Sequence, residues 1–336
     1  MEHQNQQNKS YVLPIAMMFA LFFMISFVTG LQNPFGVIVK NQFMASNLES
    51  QLGNLANFIA YAFMGIPAGK MLERIGYKKT ALAAIAVGFV GVCVTFLSGS
   101  AGSFAVYLTG AFISGFSMCM LNVVVNPMLN TLGGGGKRGN QLLQFGGAIN
   151  SIGATIVPVL VGYLIGTISS ETSIANANPA LFLAMGIFAL AFIVLFSMNI
   201  PEPHAAAAVA NGVKNSHSPL SFRHFVLGAI AIFLYVGIEV GIPNIANLFM
   251  TGSTEANGLG IDTTTAGSVV GTYWFLMFIG RLTGGSLGAK FSSKGMLSFV
   301  SLLGLVFVLL AIFIPETQMV NMPVFKADIS FGLAQV

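Results

Sequence analysis

Glu239, within FLYVGIEVGIPNIAN, is the one acid set deep in an apolar run of this chain, and Asn122, Asn126 and Asn130 recur at every fourth position through MLNVVVNPMLN. A carboxyl group can take up and release a proton, whereas an amide donates and accepts hydrogen bonds without titrating. On a helix, positions i, i+4 and i+8 fall within about 80° of one another, so the three asparagines form one polar stripe. Asn122 and Asn126 are expected to bind a solute, and Asn130 to finish a helix. Asn33 in the first apolar run, and Gln144 and Asn150 in the fifth, add neutral donors and acceptors. No Lys, Arg or His lies deep in the first six runs, so the set suits a polyol or hexose better than a carboxylate or phosphate. Tyr235 stands one helical turn before Glu239, and Tyr273 offers a ring on which the apolar face of a sugar could stack. Gly237, Gly241 and Pro243 predict a bend near Glu239.

These groups have to be held in hydrocarbon. Hydrophobic residues make up 55% of the chain and charged residues 7%, against roughly 25% charged in a soluble domain. Continuous apolar runs, rather than alternation, predict an all-α integral membrane protein and disfavour a β-barrel. The net charge of +4 falls in short clusters between the runs, a topology signal and not a nucleic-acid surface. Cys93 and Cys119 both lie inside apolar runs and are expected to pack, without a disulfide or a metal. The four histidines lie in the tail, in the central loop or at a helix end, with no metal-ligand spacing, and no strand precedes GGGGKRGN at 133–140. An enzyme is therefore not expected, and no cofactor.

A crossing needs about 20 apolar residues. Nine segments qualify, at 12–38, 50–70, 80–99, 104–131, 140–167, 179–199, 224–250, 265–288 and 296–314, and residues 329–336 are a candidate start of a tenth. With the N-terminus cytoplasmic, 12 of the 14 Lys and Arg fall on the inner side, leaving only Lys40 and Lys326 outside. The longest connection, at 200–223, divides six spans at 1–199 from a partial second bundle at 224–336. GIPAGKMLERIGYKK after span two and GGSLGAKFSSKG after span eight share three glycines at the same spacings: Gly65, Gly69, Gly76 and Gly284, Gly288, Gly295. The second copy replaces Glu73 and Arg74 by Ser292 and Ser293.

GKMLERIGYKK resembles the loop motif of the major facilitator superfamily, through Gly69, Glu73, Arg74, Gly76, Lys78 and Lys79. The resemblance implies a gating role, in which Glu73 and the basic residues pair with neighbouring helix ends, with Arg281 in the second clamp. FVTGLQNPFGVIVKNQF, GFSMCMLNVVVNPMLNTLG, GGAINSIGATIVP and IFLYVGIEVGIP are similar to the fucose–galactose–glucose:proton symporter family within it. That family implies a fold of two six-helix bundles, so the second is incomplete here, and about three final spans are expected to be missing. Where proton-coupled members carry acids, this chain has Asn33 and Asn122, which moves the search for coupling to Glu239. The resulting expectation is a monomeric multi-pass protein of a bacterial-type cytoplasmic (inner) membrane. It would take up a small neutral sugar by alternating access, coupled to a proton or sodium. A facilitator, a symporter of another small solute, or a sugar-binding membrane sensor are the alternatives.

Overall fold

The structure, a computed structural model, describes residues 11–165, 172–202, 219–252, 254, 258–261, 263–313, 319–324 and 327–332. Within these helices, the side chains of Gln32, Asn33 and Pro34, among others, lie outside the described set.

The apolar runs fold as helices because a helix satisfies every backbone group within its own segment, as hydrocarbon demands. In chain order they are α1 (Val12–Gln42), the short α2 (Asn47–Ser50), α3 (Leu52–Ala101), α4 (Phe104–Leu132), α5 (Gly136–Ile165), α6 (Asn178–Ser197), α7 (Arg223–Thr251), α8 (Thr263–Leu287) and α9 (Ser293–Phe313). Six helices among the described residues are long and apolar enough to cross a membrane. α3, at 50 residues, is long enough to cross twice, and it holds both span two and span three.

Local chemistry sets the ends. Ser46 and Glu49 form a reciprocal capping box at α2, with Ser46 N donating to Glu49 Oε2 at 2.7 Å and Glu49 N to Ser46 Oγ at 3.2 Å. Gly102, at φ +57°, closes α3 in the left-handed conformation that glycine adopts without strain. Positive φ at Gly134, Gly135 and Gly136 turns the chain between α4 and α5.

One compact unit comprises residues 1–210 with 278–290; residues 211–277 with 291–336 form another. The stretch 278–290, expected in a C-terminal bundle, thus packs with the first unit. In the first unit small residues let helices approach closely. A Cβ at Gly88 would meet Phe188 of α6 and Ser117 of α4, and Ser117 Oγ donates to Ala84 O at 2.6 Å. A Cβ at Gly115 would overlap the backbone of Asn57, and one at Gly153 would overlap Ser26. Such contacts supply the close packing that holds membrane helices together where lipid is as apolar as the protein. Met18, Leu21, Phe27, Met118, Leu121 and Val125 lie at the centre of this core. In the second unit the described apolar side chains of α7 and α9 are mostly exposed, Phe233 by 77% and Phe313 by 78%.

The candidate tenth span is corrected. Its described residues belong to a β-hairpin in which β1 (Met319–Val324) pairs antiparallel with β2 (Ala327–Gly332), from Met319 opposite Gly332 to Val324 opposite Ala327. Asn321, Asp328 and Ser330 interrupt the apolar residues at short intervals, and the ladder supplies the backbone partners a helix would otherwise provide.

Candidate functional site

The asparagine stripe forms as its spacing predicts. Asn126 Nδ2 donates to the backbone oxygen of Asn122 at 2.9 Å and to Asn122 Oδ1 at 3.4 Å. Asn122 Nδ2 donates to Met118 O at 3.1 Å and to the hydroxyl of Tyr61 at 3.2 Å. Asn122 is half-buried and Asn126 exposed. Tyr61 comes from the first half of α3, and sequence reasoning missed it because a tyrosine in an apolar run looks like any other large packing residue. Asn130 lies in the last turn of α4, which runs to Leu132, and its carbonyl accepts from Gly135 N at 2.9 Å.

α5 presents Gln144 exposed and Asn150 half-buried, with Asn150 Nδ2 donating to Phe22 O in α1 at 3.3 Å. Gly146 and Gly153 make that approach possible, because a Cβ at either would collide with Phe22 or Ser26. Asn33 lies in α1, and its side chain is outside the described residues.

In the second unit Glu239 is half-buried and Tyr235 is exposed by 53%. Pro243 lies four residues after Glu239 and has no N–H, so the Glu239 carbonyl loses its regular helical partner. The hydroxyl of Tyr273 donates to that carbonyl at 3.1 Å. Tyr273 therefore has a structural role that its reading as a stacking ring did not include. Its ring meets Trp274 edge-on, with centroids 5.3 Å apart.

The loop motif makes its contacts through Lys78 and the backbone rather than through Glu73 and Arg74. Glu73 and Arg74 are exposed, with no hydrogen-bond or ion-pair partner among the described residues. α3 breaks at Gly76, whose φ of +82° and ψ of 176° suit glycine alone, and the amides of the next turn need acceptors. Glu202, just beyond α6, supplies them: Tyr77 N donates to its Oε2 at 2.7 Å and Lys78 N to its Oε1 at 2.9 Å. A Cβ at Gly76 would stand 2.6 Å from Glu202 Oε2, so the close approach also requires glycine. Lys78 Nζ in turn donates to Phe196 O at 2.8 Å, near the C-terminal end of α6, where a cation is favoured by the helix dipole. Lys79 and Gly69 carry no comparable contact among the described residues. The second glycine repeat lacks this device: Gly295 lies inside α9, and Ser292 Oγ accepts from its N–H at 3.1 Å as a local N-cap.

Arg281 does not simply reach for the membrane surface. Its Nη1 donates to Gly147 O at 2.8 Å and to Ser151 Oγ at 2.9 Å, both on α5. Gln141 Nε2 donates to Gly285 O at 2.9 Å, and Lys137 Nζ to Ala289 O at 3.4 Å. A run of polar contacts thus ties 278–290 along the first half of α5.

A sequence profile described as Major Facilitator Superfamily matches residues 18–335. The chain belongs to that superfamily. It is an integral multi-pass membrane protein of a transporter family, not an enzyme. A glucose/galactose transporter of Brucella abortus is 29% identical over 284 residues, spanning 84% of this chain and 68% of that protein. The L-fucose-proton symporter of Escherichia coli is 21% identical over 330 residues, 91% of this chain and 74% of that one. A crystal structure of the E. coli fucose:proton symporter superposes with a TM-score of 0.71 at 19% identity, covering 91% of this chain and 78% of the other. The superfamily fold and the sugar-symporter relatives named by the sequence resemblance are both found.

Proposed function

We propose that this protein carries a small neutral sugar, a hexose or deoxyhexose, across a bacterial-type inner membrane by alternating access. The observation that carries the reading is the polar chain Tyr61–Asn122–Asn126. It is neutral throughout, and it offers hydrogen bonds of the kind a sugar hydroxyl makes rather than a charge for an ion. Relatives named as glucose/galactose transporter and L-fucose-proton symporter support the substrate class. Asn33, Asn122, Asn126, Gln144, Asn150, Tyr235 and Tyr273 are the proposed sugar ligands. Glu239 is the proposed coupling group for a proton or sodium. Gly69, Glu73, Arg74, Gly76, Lys78, Lys79 and Arg281 are the proposed gating residues. The excess of Lys and Arg on one set of loops favours a cytoplasmic N-terminus. Each protomer is proposed to work alone, with the lipid bilayer as its only surrounding.

The test is uptake of labelled D-glucose, D-galactose and L-fucose by purified protein in proteoliposomes, with and without imposed proton and sodium gradients. Accumulation of at least one sugar under a gradient is expected, and failure of every neutral sugar to enter would defeat the reading. A facilitator is the second reading, favoured by the amides at Asn33 and Asn122; it predicts equilibration with no response to either gradient.

A further inference from the structure

The polarity of the Tyr61–Asn122–Asn126 chain can be assigned atom by atom. Met118 O is a carbonyl and can only accept, so the group of Asn122 facing it at 3.1 Å is the NH2. The second proton of that NH2 points to Tyr61, whose phenol oxygen accepts at 3.2 Å. Asn126 uses its NH2 in the same way, on Asn122 O and Asn122 Oδ1. Both amides therefore have their donors occupied within the protein. What remains for a solute is carbonyl oxygen on Asn122 and Asn126, together with the phenol proton of Tyr61, which has no acceptor among the described residues.

We infer that Tyr61 determines specificity at this site: its oxygen accepts the second Asn122 N–H, and its own proton is left to donate to the solute. The site then takes a polyol that gives up two hydroxyl protons and accepts one hydrogen bond. Anions are disfavoured, because a carboxylate or phosphate brought against two carbonyl oxygens is repelled, and a carboxylate has no proton to offer them. An amine could donate but could not accept from the phenol. The inference rests on the sugar reading above and narrows it to the pattern of hydroxyl donors.

The experiment measures competition against labelled D-galactose, or whichever of D-glucose and L-fucose the wild-type protein carries, by the deoxy and deoxyfluoro analogues at each carbon. Fluorine cannot donate, so at two ring positions the deoxyfluoro analogue is expected to compete about tenfold less well than the parent sugar, near the upper range for one neutral hydrogen bond. Tyr61→Phe is expected to weaken the parent sugar by a similar factor. At one further position, the deoxy analogue, which offers the phenol no acceptor, is expected to bind wild type and variant equally. A merely structural role for Tyr61 would lower every ligand together and leave the ratios unchanged, and that result would overturn the inference. If Tyr61→Phe does not elute as a monodisperse folded protein, the wild-type series decides: equal competition by the deoxyfluoro analogue at every carbon overturns it. Absence of any sugar binding to wild type is a different result, which sinks the sugar reading and this inference with it.

Discussion

At Asn122 the amide cannot be turned over, because Met118 O accepts from it on one side and Asn126 Nδ2 donates to its oxygen on the other. Asn122→Asp keeps the shape but replaces the donor by oxygen, and an oxygen can bond Met118 O only when it carries a proton. Sugar binding by the variant is therefore expected to weaken, relative to wild type at the same pH, as that proton is lost. Titration of equilibrium sugar binding from acid to alkaline pH checks this, and identical profiles for the two proteins would refute it. Glu49 works in the opposite sense. The backbone N–H of Ser46, then its hydroxyl, hold the Glu49 carboxyl below the ordinary carboxylate range of about 4.3. A depressed folded value means that the capping box contributes at pH above that range and is lost as pH falls through the lowered value. Amide exchange at Ser46 is expected to quicken over that acid interval, and a rate following only the intrinsic pH dependence would contradict it.

Among the elements, the break in α3 shows what a motif can and cannot announce. Gly76 was legible as a motif glycine, and its positive φ is the physical content of that position. Glu202 was not legible, because a carboxylate 126 positions away, in the sequence IPEP, carries no local mark of the helix end it will cap. The partners of Arg281 were hidden for the same reason: a backbone carbonyl and a serine on α5 leave no charge pattern to match. By contrast, the apolar segments and the asparagine stripe could both be read, since each depends on spacing within a single helix. Glu202→Ala leaves the amides of Tyr77 and Lys78 without their acceptor, and loss of a helix cap costs about 1 kcal/mol. Faster amide exchange confined to these two residues is the expected signature, with a lowered thermal midpoint in detergent; protection equal to wild type would exclude the capping role. Gly153→Ala forces a methyl group onto Ser26 and should destabilise the protein by about 1–3 kcal/mol through overpacking of α1 on α5. An unchanged midpoint for that variant would show that the two helices do not need this approach.

For the whole molecule, the open step is how a neutral binding surface is joined to an energy source. The chain offers amides at Asn33 and Asn122, so neither position can carry a proton, and a carrier limited to them would only equilibrate its solute. Glu239 is the remaining acid deep in an apolar run, on a helix weakened at Pro243. Its backbone carbonyl is already satisfied by Tyr273, so changing the side chain alone leaves that inter-helix bond in place. This makes Glu239→Gln a conservative substitution: it keeps the size of the side chain and removes its titratable proton. Accumulation driven by a proton gradient is expected to vanish in the variant, while exchange of labelled for unlabelled sugar across the membrane continues, because exchange needs the binding surface and its reorientation but no net proton movement. Both are read in the same proteoliposomes, so a folding defect would remove exchange as well. Undiminished accumulation would take coupling away from Glu239; absence of accumulation in wild type under either a proton or a sodium gradient, with exchange intact, would make the protein a facilitator.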